Sequence, residues 1–283
     1  MSVIKKVSIL YHPMKEAAHP LAQRLERFLG TKGISAWVCS AWEAEAARAK
    51  VKGTDLILSV GGDGTILRAA QIAIPGPTLI TGINLGNLGF MTELSVGETE
   101  EKLTALLAGQ GWIDERSLLE AELSPADGDG SPLRKFYALN DVVVARGEVA
   151  RVVNIDASID GEPLTTYKAD GVIVATATGS TGYSLAAGGP VLHPQAKETL
   201  LLPIMPHLSL AYPLILPSTA VVKLCLKSFY SATLSVDGHI NLPLSSGTVI
   251  TVRHSSNIIR FLRIHPAASF YGSLEQRLKG KIN

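Results

Sequence analysis

Leu56-Ile57-Leu58-Ser59-Val60-Gly61-Gly62-Asp63-Gly64-Thr65 is the stretch from which the architecture can be read. Its first five residues form an apolar, strand-like run, and Thr65 to Ala73 has a helical pattern. A glycine-rich corner between strand and helix leaves no Cβ to block a ligand. The helix that follows offers unpaired N–H groups and a positive dipole end, which attract phosphate. Asp63 is the odd member, because a carboxylate in an anion site is unfavourable unless a metal or a substrate hydroxyl needs it. The plainer alternative is a tight turn with Asp63 as a helix cap.

Outward from this corner, strand-like and helix-like runs alternate. Strands are expected at Lys6 to Tyr11, Ile34 to Cys39 and Thr78 to Ile83, and helices at Pro20 to Leu29, Ala41 to Lys50 and Glu98 to Ala108. Such alternation with short connections predicts a Rossmann-like parallel sheet covered on both faces, with ligands beyond the carboxyl ends of its strands. Near Trp112 the texture changes. From Leu118 to Arg253 short strand-like runs are separated by Asp127-Gly128-Asp129-Gly130, Asp160-Gly161, Asp237-Gly238 and Ser246-Gly247, which predicts a β-sandwich. The expected division is an α/β domain over 1–115 and a β-rich domain over 116–257. A tail over 258–283, a strand and then a short helix, is expected to return to the first domain.

The 283 residues suit one large or two modest domains, and a 46% hydrophobic, 18% charged composition supports a substantial core. With 26 basic and 25 acidic side chains the net charge is +1, giving no global attraction for nucleic acid or acidic membranes. Cys39 and Cys225 lack metal-site spacing and read as buried free thiols. The N-terminus has no signal-peptide h-region, and prolines 203, 206 and 213 interrupt the apolar stretch Leu200 to Leu216. A soluble, cytoplasmic protein is expected.

Four further stretches carry candidate chemistry. Gly82-Ile83-Asn84-Leu85-Gly86-Asn87-Leu88-Gly89-Phe90 reads as a second ligand loop or as a glycine-rich connection. Asn140-Asp141 is able to read a base edge and ribose hydroxyls, or simply to form a turn. Asp170 to Pro190 runs a strand into a dense set of hydroxyls and glycines, including Thr178, Thr181, Gly182 and Tyr183. Ser184 within it lacks a Gly-x-Ser-x-Gly elbow, which argues against a hydrolase. His207 has no second ligand or base nearby in sequence and reads as a packed histidine.

Together these motifs resemble the NAD kinase family, ATP-dependent enzymes that phosphorylate NAD to NADP, with the NAD kinase/diacylglycerol kinase-like fold. The match comprises Gly61-Gly62-Asp63-Gly64-Thr65, Gly82 to Phe90, Asn140-Asp141, and Asp170 to Pro190, in order and over most of the chain. The first loop alone also occurs in diacylglycerol and sphingosine kinases, with a close relative in 6-phosphofructokinases. Departures are Ala177 in place of proline, Gly182 in place of alanine, Met205 in place of cysteine, and Ala211-Tyr212-Pro213 where an arginine commonly precedes the proline.

The resemblance implies a homodimer or homotetramer acting on NAD and ATP, with Mg²⁺ or another divalent cation carried on the ATP phosphates. No Walker lysine is present. Gly61, Gly62, Gly64 and Thr65 are implied to bind the triphosphate, and Asp63 to orient and deprotonate the ribose 2′-hydroxyl. Gly64, Phe90, Asn140, Asp141, Thr178, Thr181, Gly182 and Tyr183 are implied to bind NAD together with Asp63, while Asp170 reaches its nicotinamide end. Two rival readings use the same residues: a lipid or sugar kinase with this loop, and an NAD-binding module that has lost catalysis. The neutral charge gives no hint of a membrane-facing lipid kinase, and the intact loop around Asp63 weighs against a pure binder.

Overall fold

The computed structural model describes residues 4–86, 89–124, 132–148, 151–207, 212–267 and 269–279. Four expectations fall partly or wholly outside those residues: Asn87-Leu88 of the second glycine stretch, the Asp127–Gly130 turn, Ala211, and positions 268 and 280–283 of the tail. The chain forms two compact units, Met1–Glu115 with Ile259–Asn283, and Arg116–Ile258.

In the first unit β1 (Lys6–Tyr11), β2 (Ser35–Ser40), β3 (Leu56–Gly61) and β4 (Leu79–Asn84) form a parallel sheet in the order β4-β3-β1-β2. The short β5 (Leu94–Ser95) extends it beside β4. All six residues of β3 are buried, as a strand covered on both faces requires. Between the strands lie α1 (Ala18–Thr31), α2 (Ala44–Val51) and α3 (Asp63–Ala73), with α4 (Thr99–Leu107) following β5. Leu21, Leu25 and Leu29 recur every four residues on α1 and are buried in one core with Val7, Ile9 and Leu58. Burying each leucine stabilises the unit by about 2 kcal/mol.

Two helices start two residues earlier than their sequence patterns indicate, α1 at Ala18 rather than Pro20 and α3 at the glycine corner. α3 begins at Asp63 rather than Thr65, with extended Gly62 as its N-cap. The apolar period marks only the packed face, whereas the first turn is set by the cap and by an acidic residue at the positive dipole end.

The second unit comprises β6 (Trp112–Ser124), β7 (Arg134–Ala138), β8 (Asp141–Arg146), β9 (Val153–Ile159), β10 (Glu162–Ala169), β11 (Gly171–Ala175), β12 (Thr199–Ile204), β13 (Leu214–Leu216), β14 (Val222–Leu226), β15 (Ala232–Val236), β16 (Ile240–Leu244) and β17 (Val249–Arg263). β6 begins and β17 ends in the first unit. One sheet runs β13-β12-β11-β8-β15-β16; the other runs β10-β9-β14-β17, with β6 and β7 also paired to it. A single apolar core draws Val142 and Val144 of β8 and Val172 and Val174 of β11 together with Ile155 of β9 and Leu224 of β14. That is a β-sandwich. Asp160 and Gly161 both have positive φ, 53° and 88°, the geometry of a two-residue hairpin turn between β9 and β10.

The segment after β11 contains a 3-10 turn at Gly179–Thr181 and the four-residue α5 (Tyr183–Ala186). At its far end β17 pairs in parallel with β4 and is followed by α6 (Ser269–Lys279). Of the two cysteines, Cys39 is buried and Cys225 only partly so. His207 is exposed rather than packed: its segment has left β12, and its backbone N–H is held at 2.7 Å by the Lys168 carbonyl.

Candidate functional site

In the first unit the site is built where β3 becomes α3. Gly61 lies inside β3, and a Cβ there would stand 2.1 Å from the Thr65 hydroxyl, so no side chain fits. Thr65 is fully buried, and its Oγ1 accepts the Gly62 N–H at 3.4 Å. The Thr65 and Ile66 N–H groups donate to the Gly62 carbonyl at 3.0 and 3.2 Å. Asp63 and the exposed Gly64 therefore supply the first-turn N–H groups that lie outside the helix ladder.

The carboxylate of Asp63 has a definite place. One oxygen accepts the Phe90 N–H at 2.9 Å and the other the Met91 N–H at 3.0 Å. A Cβ on Gly89 would come within 2.2 Å of the same carboxylate, so glycine is needed for the loop to close over it. The loop is locked in turn. Gly89 donates to the Thr92 hydroxyl at 3.0 Å, and its carbonyl accepts from Arg277 on α6. Buried Arg263, at the end of β17, donates to the Met91 carbonyl at 2.8 Å while pairing with Glu93 and Asp114 at 3.1 and 3.2 Å. Glu93 also accepts the Ile264 and His265 N–H groups at 2.8 and 2.7 Å. Phe90 thus reaches the site as a backbone donor to Asp63, with its ring buried.

In the second unit Asn140 and Asp141 are gathered by residues far away in sequence. Asp237 is buried, and its carboxylate accepts the N–H groups of Leu139, Asn140 and Asp141 at 2.9, 2.7 and 3.2 Å. Asp141 is the first residue of β8 rather than a turn residue. Desolvation by burial, and then the negative charge of Asp237, push its pKa to about 7. The buried amide oxygen of Asn140 has no partner among the described residues, as is also true of the Ser59, Tyr167 and Ser184 hydroxyls.

The hydroxyl-rich segment clasps this pair from the other side. Thr176 donates its N–H to the Asn140 carbonyl at 2.9 Å and its hydroxyl to the Leu139 carbonyl at 2.6 Å, and accepts the Gly179 N–H at 3.0 Å. Thr178 and Thr181 are buried: the Thr178 hydroxyl accepts from Arg116 at 3.2 Å, and that of Thr181 donates to the Thr178 carbonyl at 3.3 Å. Gly182 leaves room beside the pair, since a Cβ there would lie 3.3 Å from the Asn140 amide nitrogen and 3.7 Å from the Asp141 carboxylate. Tyr183 is 47% exposed. Asp170 sits at the opposite end of β11 from Thr176 and pairs with Arg146 at 3.2 Å. Ser184 is fully buried, with no accessible hydroxyl for a nucleophile.

Sequence reading missed Asp237, Arg263, Glu93, Arg116 and Arg277. Asp237 was visible only as the first half of an Asp-Gly hairpin turn, which it also is, with φ of 51°.

A glycine-rich strand-to-helix corner with a fixed carboxylate on an α/β unit, and a buried Asn-Asp pair on a β-sandwich unit, are the parts expected of a nucleotide-dependent phosphotransferase. Comparison with known proteins specifies which kind. The ATP-NAD kinase N-terminal domain model matches residues 12–111, and the ATP-NAD kinase C-terminal domain model matches residues 139–264. The NAD kinase of Dehalococcoides mccartyi (strain ATCC BAA-2100) is 51% identical over 276 residues, covering 98% of this chain and 96% of that protein. That of Chloroflexus aurantiacus (strain J-10-fl) is 39% identical over 277 residues, covering 98% and 99%. A crystal structure of yeast NADH kinase complexed with NADH superposes with a TM-score of 0.84 at 26% identity, covering 99% of this chain and 89% of that one. An Archaeoglobus fulgidus NAD kinase in complex with ATP shares the fold, with a TM-score of 0.77 at 24% identity over 96% of this chain and 99% of that one. The chain belongs to the NAD kinase family.

Proposed function

We infer that the side chains described above carry out the reaction of this family. The protein is an ATP-dependent kinase that moves the γ-phosphoryl group of ATP to the 2′-hydroxyl of the adenosine ribose of NAD, forming NADP. The single observation that best supports the assignment of roles is the fixing of Asp63. Each of its carboxylate oxygens takes one backbone N–H, which sets its direction and leaves lone pairs for a substrate hydroxyl. Asp63 orients the 2′-hydroxyl and accepts its proton as the oxygen attacks phosphorus. Gly61, Gly62, Gly64 and Thr65 shape the corner for the triphosphate, with first-turn N–H groups as donors.

The domain over 116–257 binds NAD. Asn140 reads the adenine edge, Asp141 accepts from ribose hydroxyls, and Thr178, Thr181, Gly182 and Tyr183 line the adenine pocket. The two buried threonines do so by shaping its wall, since their hydroxyls are already engaged. Gly64 and Phe90 border the acceptor. Asp170 serves the nicotinamide end together with its partner Arg146.

A divalent cation, Mg²⁺ by preference, accompanies ATP and neutralises its phosphates. The donor set fits an ion held mainly by phosphate oxygens, because no group of three or more His, Cys, Asp or Glu side chains among the described residues could hold one. The active form is a homodimer or homotetramer in the cytoplasm, testable by light scattering and fractionation. No helix among the described residues is long and apolar enough to cross a membrane.

The deciding experiment incubates the purified protein with Mg-ATP and NAD and measures NADP. Asp63→Asn keeps the fold and most of the NAD affinity but loses turnover by a hundredfold or more, in the range of general-base removal. Parental turnover in that variant would remove Asp63 from the chemistry. A lipid kinase or a pure binder yields no NADP even in the parent.

A further inference from the structure

The family reaction needs positive charge around the transferred phosphate, yet the glycine corner carries no Walker lysine. The fold gathers an unassigned cationic cluster beside that corner. The Lys15 ammonium lies 3.9 Å from the position a Cβ on Gly62 would occupy. Lys15 belongs to the ordered turn after β1, where the His12 N–H donates to the Val60 carbonyl at 3.0 Å and the Lys15 N–H to the His12 carbonyl at 3.3 Å. The segment after β2 joins it, because the Ala41 N–H donates to the Tyr11 carbonyl at 2.9 Å. That bond places Trp42, whose ring packs on His12 with centroids 4.4 Å apart. Arg68, five residues into α3, lays its guanidinium over the same indole, 4.1 Å from its centroid. Three neighbouring strand ends, of β2, β1 and β3, therefore meet on the face where such sheets hold ligands.

The electrostatics are those of a site awaiting an anion. Among the described residues, neither Lys15 nor Arg68 pairs with a carboxylate. Burial lowers the pKa of His12, and the charges of Lys15 and Arg68 lower it further. Like charges held together without counter-ions cost stability, and such arrangements concentrate at functional sites. Asp63 does not neutralise the cluster by pairing, since its carboxylate is turned to the Phe90 and Met91 N–H groups.

We propose that Lys15 is a donor-phosphate ligand of this enzyme, taking the part of the absent Walker lysine, and that Arg68, packed over Trp42, completes a cationic wall around the same triphosphate. The inference rests on the kinase reading above and adds the donor's recognition to it. Lys15 reaches the phosphates from the turn after β1. The Arg68 guanidinium carbon lies 4.1 Å from the indole centroid, and the N–H groups of that guanidinium are the donors offered to phosphate oxygens. NAD also contains a phosphate chain, so the test must separate the two nucleotides.

Calorimetric titration of the full chain with Mg-ATP, inorganic tripolyphosphate and NAD provides that separation. Lys15 is exposed and unpaired, so Lys15→Met folds as the parent does. Its dissociation constants for Mg-ATP and tripolyphosphate rise roughly ten- to a hundredfold, the usual consequence of losing a charged hydrogen bond, while that for NAD stays within twofold. Lys15→Arg recovers most of the loss, and Arg68→Met adds to it. Unchanged Mg-ATP affinity in both methionine variants overturns the proposal, as does a loss that falls on NAD instead. Failure of the parent to form NADP while Lys15→Met still loses Mg-ATP would sink the kinase reading and leave this site standing.

Discussion

At the residue scale Asp141 is the most consequential side chain. Its folded pKa of about 7 lies above the ordinary 3.8, so the folded state holds the proton more tightly than the unfolded chain. The associated stability is fully present below about pH 4 and is lost as pH rises through 7. At about 1.4 kcal/mol per pKa unit the difference amounts to roughly 4 kcal/mol. Asp141→Asn is therefore expected to raise the melting temperature at pH 8 and to leave it nearly unchanged at pH 4. In the role proposed for it, the same group predicts activity: kcat/KM for NAD in the parent rises as pH increases through 7, because only the ionised carboxylate would accept two ribose hydroxyls. The charged group raising that pKa is Asp237. In Asp141→Asn the limb disappears and KM for NAD rises about tenfold, in line with the loss of a charge-assisted hydrogen bond. A limb that persists in the variant would assign it to another group.

At the scale of elements the loop Gly89–Glu93 links the direction of the Asp63 carboxylate to the last strand and helix. Its N–H groups aim Asp63, and its carbonyls are held by Arg263 of β17 and Arg277 of α6. These two arginines differ in cost. Arg263 is buried between two carboxylates, and removing it would strand both, at about 3–5 kcal/mol. Arg277 is only partly buried. Arg277→Met is therefore expected to lower kcat severalfold by loosening the loop, with KM for NAD unchanged and a stability loss of about 1 kcal/mol. Steady-state kinetics with a thermal melt checks this; a fall in stability without a fall in kcat would reduce Arg277 to a helix anchor. The expected hairpin at Asp160-Gly161 and the strand before the glycine corner were legible because their determinants lie within a few residues. The role of Gly89 was not, because its constraint is the Asp63 carboxylate, 26 residues earlier in the chain.

For the whole molecule the tail is an integral part of the first unit. Ile259, Phe261, Leu262 and Arg263 are all buried, and β17 there pairs with β4. A chain ended after residue 258 loses three apolar side chains worth about 2 kcal/mol each, along with the counter-ion of Glu93 and Asp114. That total matches the whole stability of many domains, so no cooperative unfolding of the first unit is expected by circular dichroism or calorimetry. A chain ended after residue 267 retains the strand and the ion cluster and should melt cooperatively, with reduced turnover from the missing Arg277. Cooperative melting of the shorter chain would show that the return strand is dispensable.

The sequence by itself determined the order of elements, the glycine corner with its acid, and the family to which these motifs belong, because strand and helix periods, turn chemistry and motif spacing are local properties. The tertiary structure decided which backbone each acid serves and which cations stand beside the phosphate corner. Asp237 reaches Leu139 across 98 positions, Arg263 reaches Met91 across 172, and Lys15 meets Gly62 only because β1 lies next to β3. Sheet order and register make such contacts, and no pattern confined to neighbouring residues carries that information.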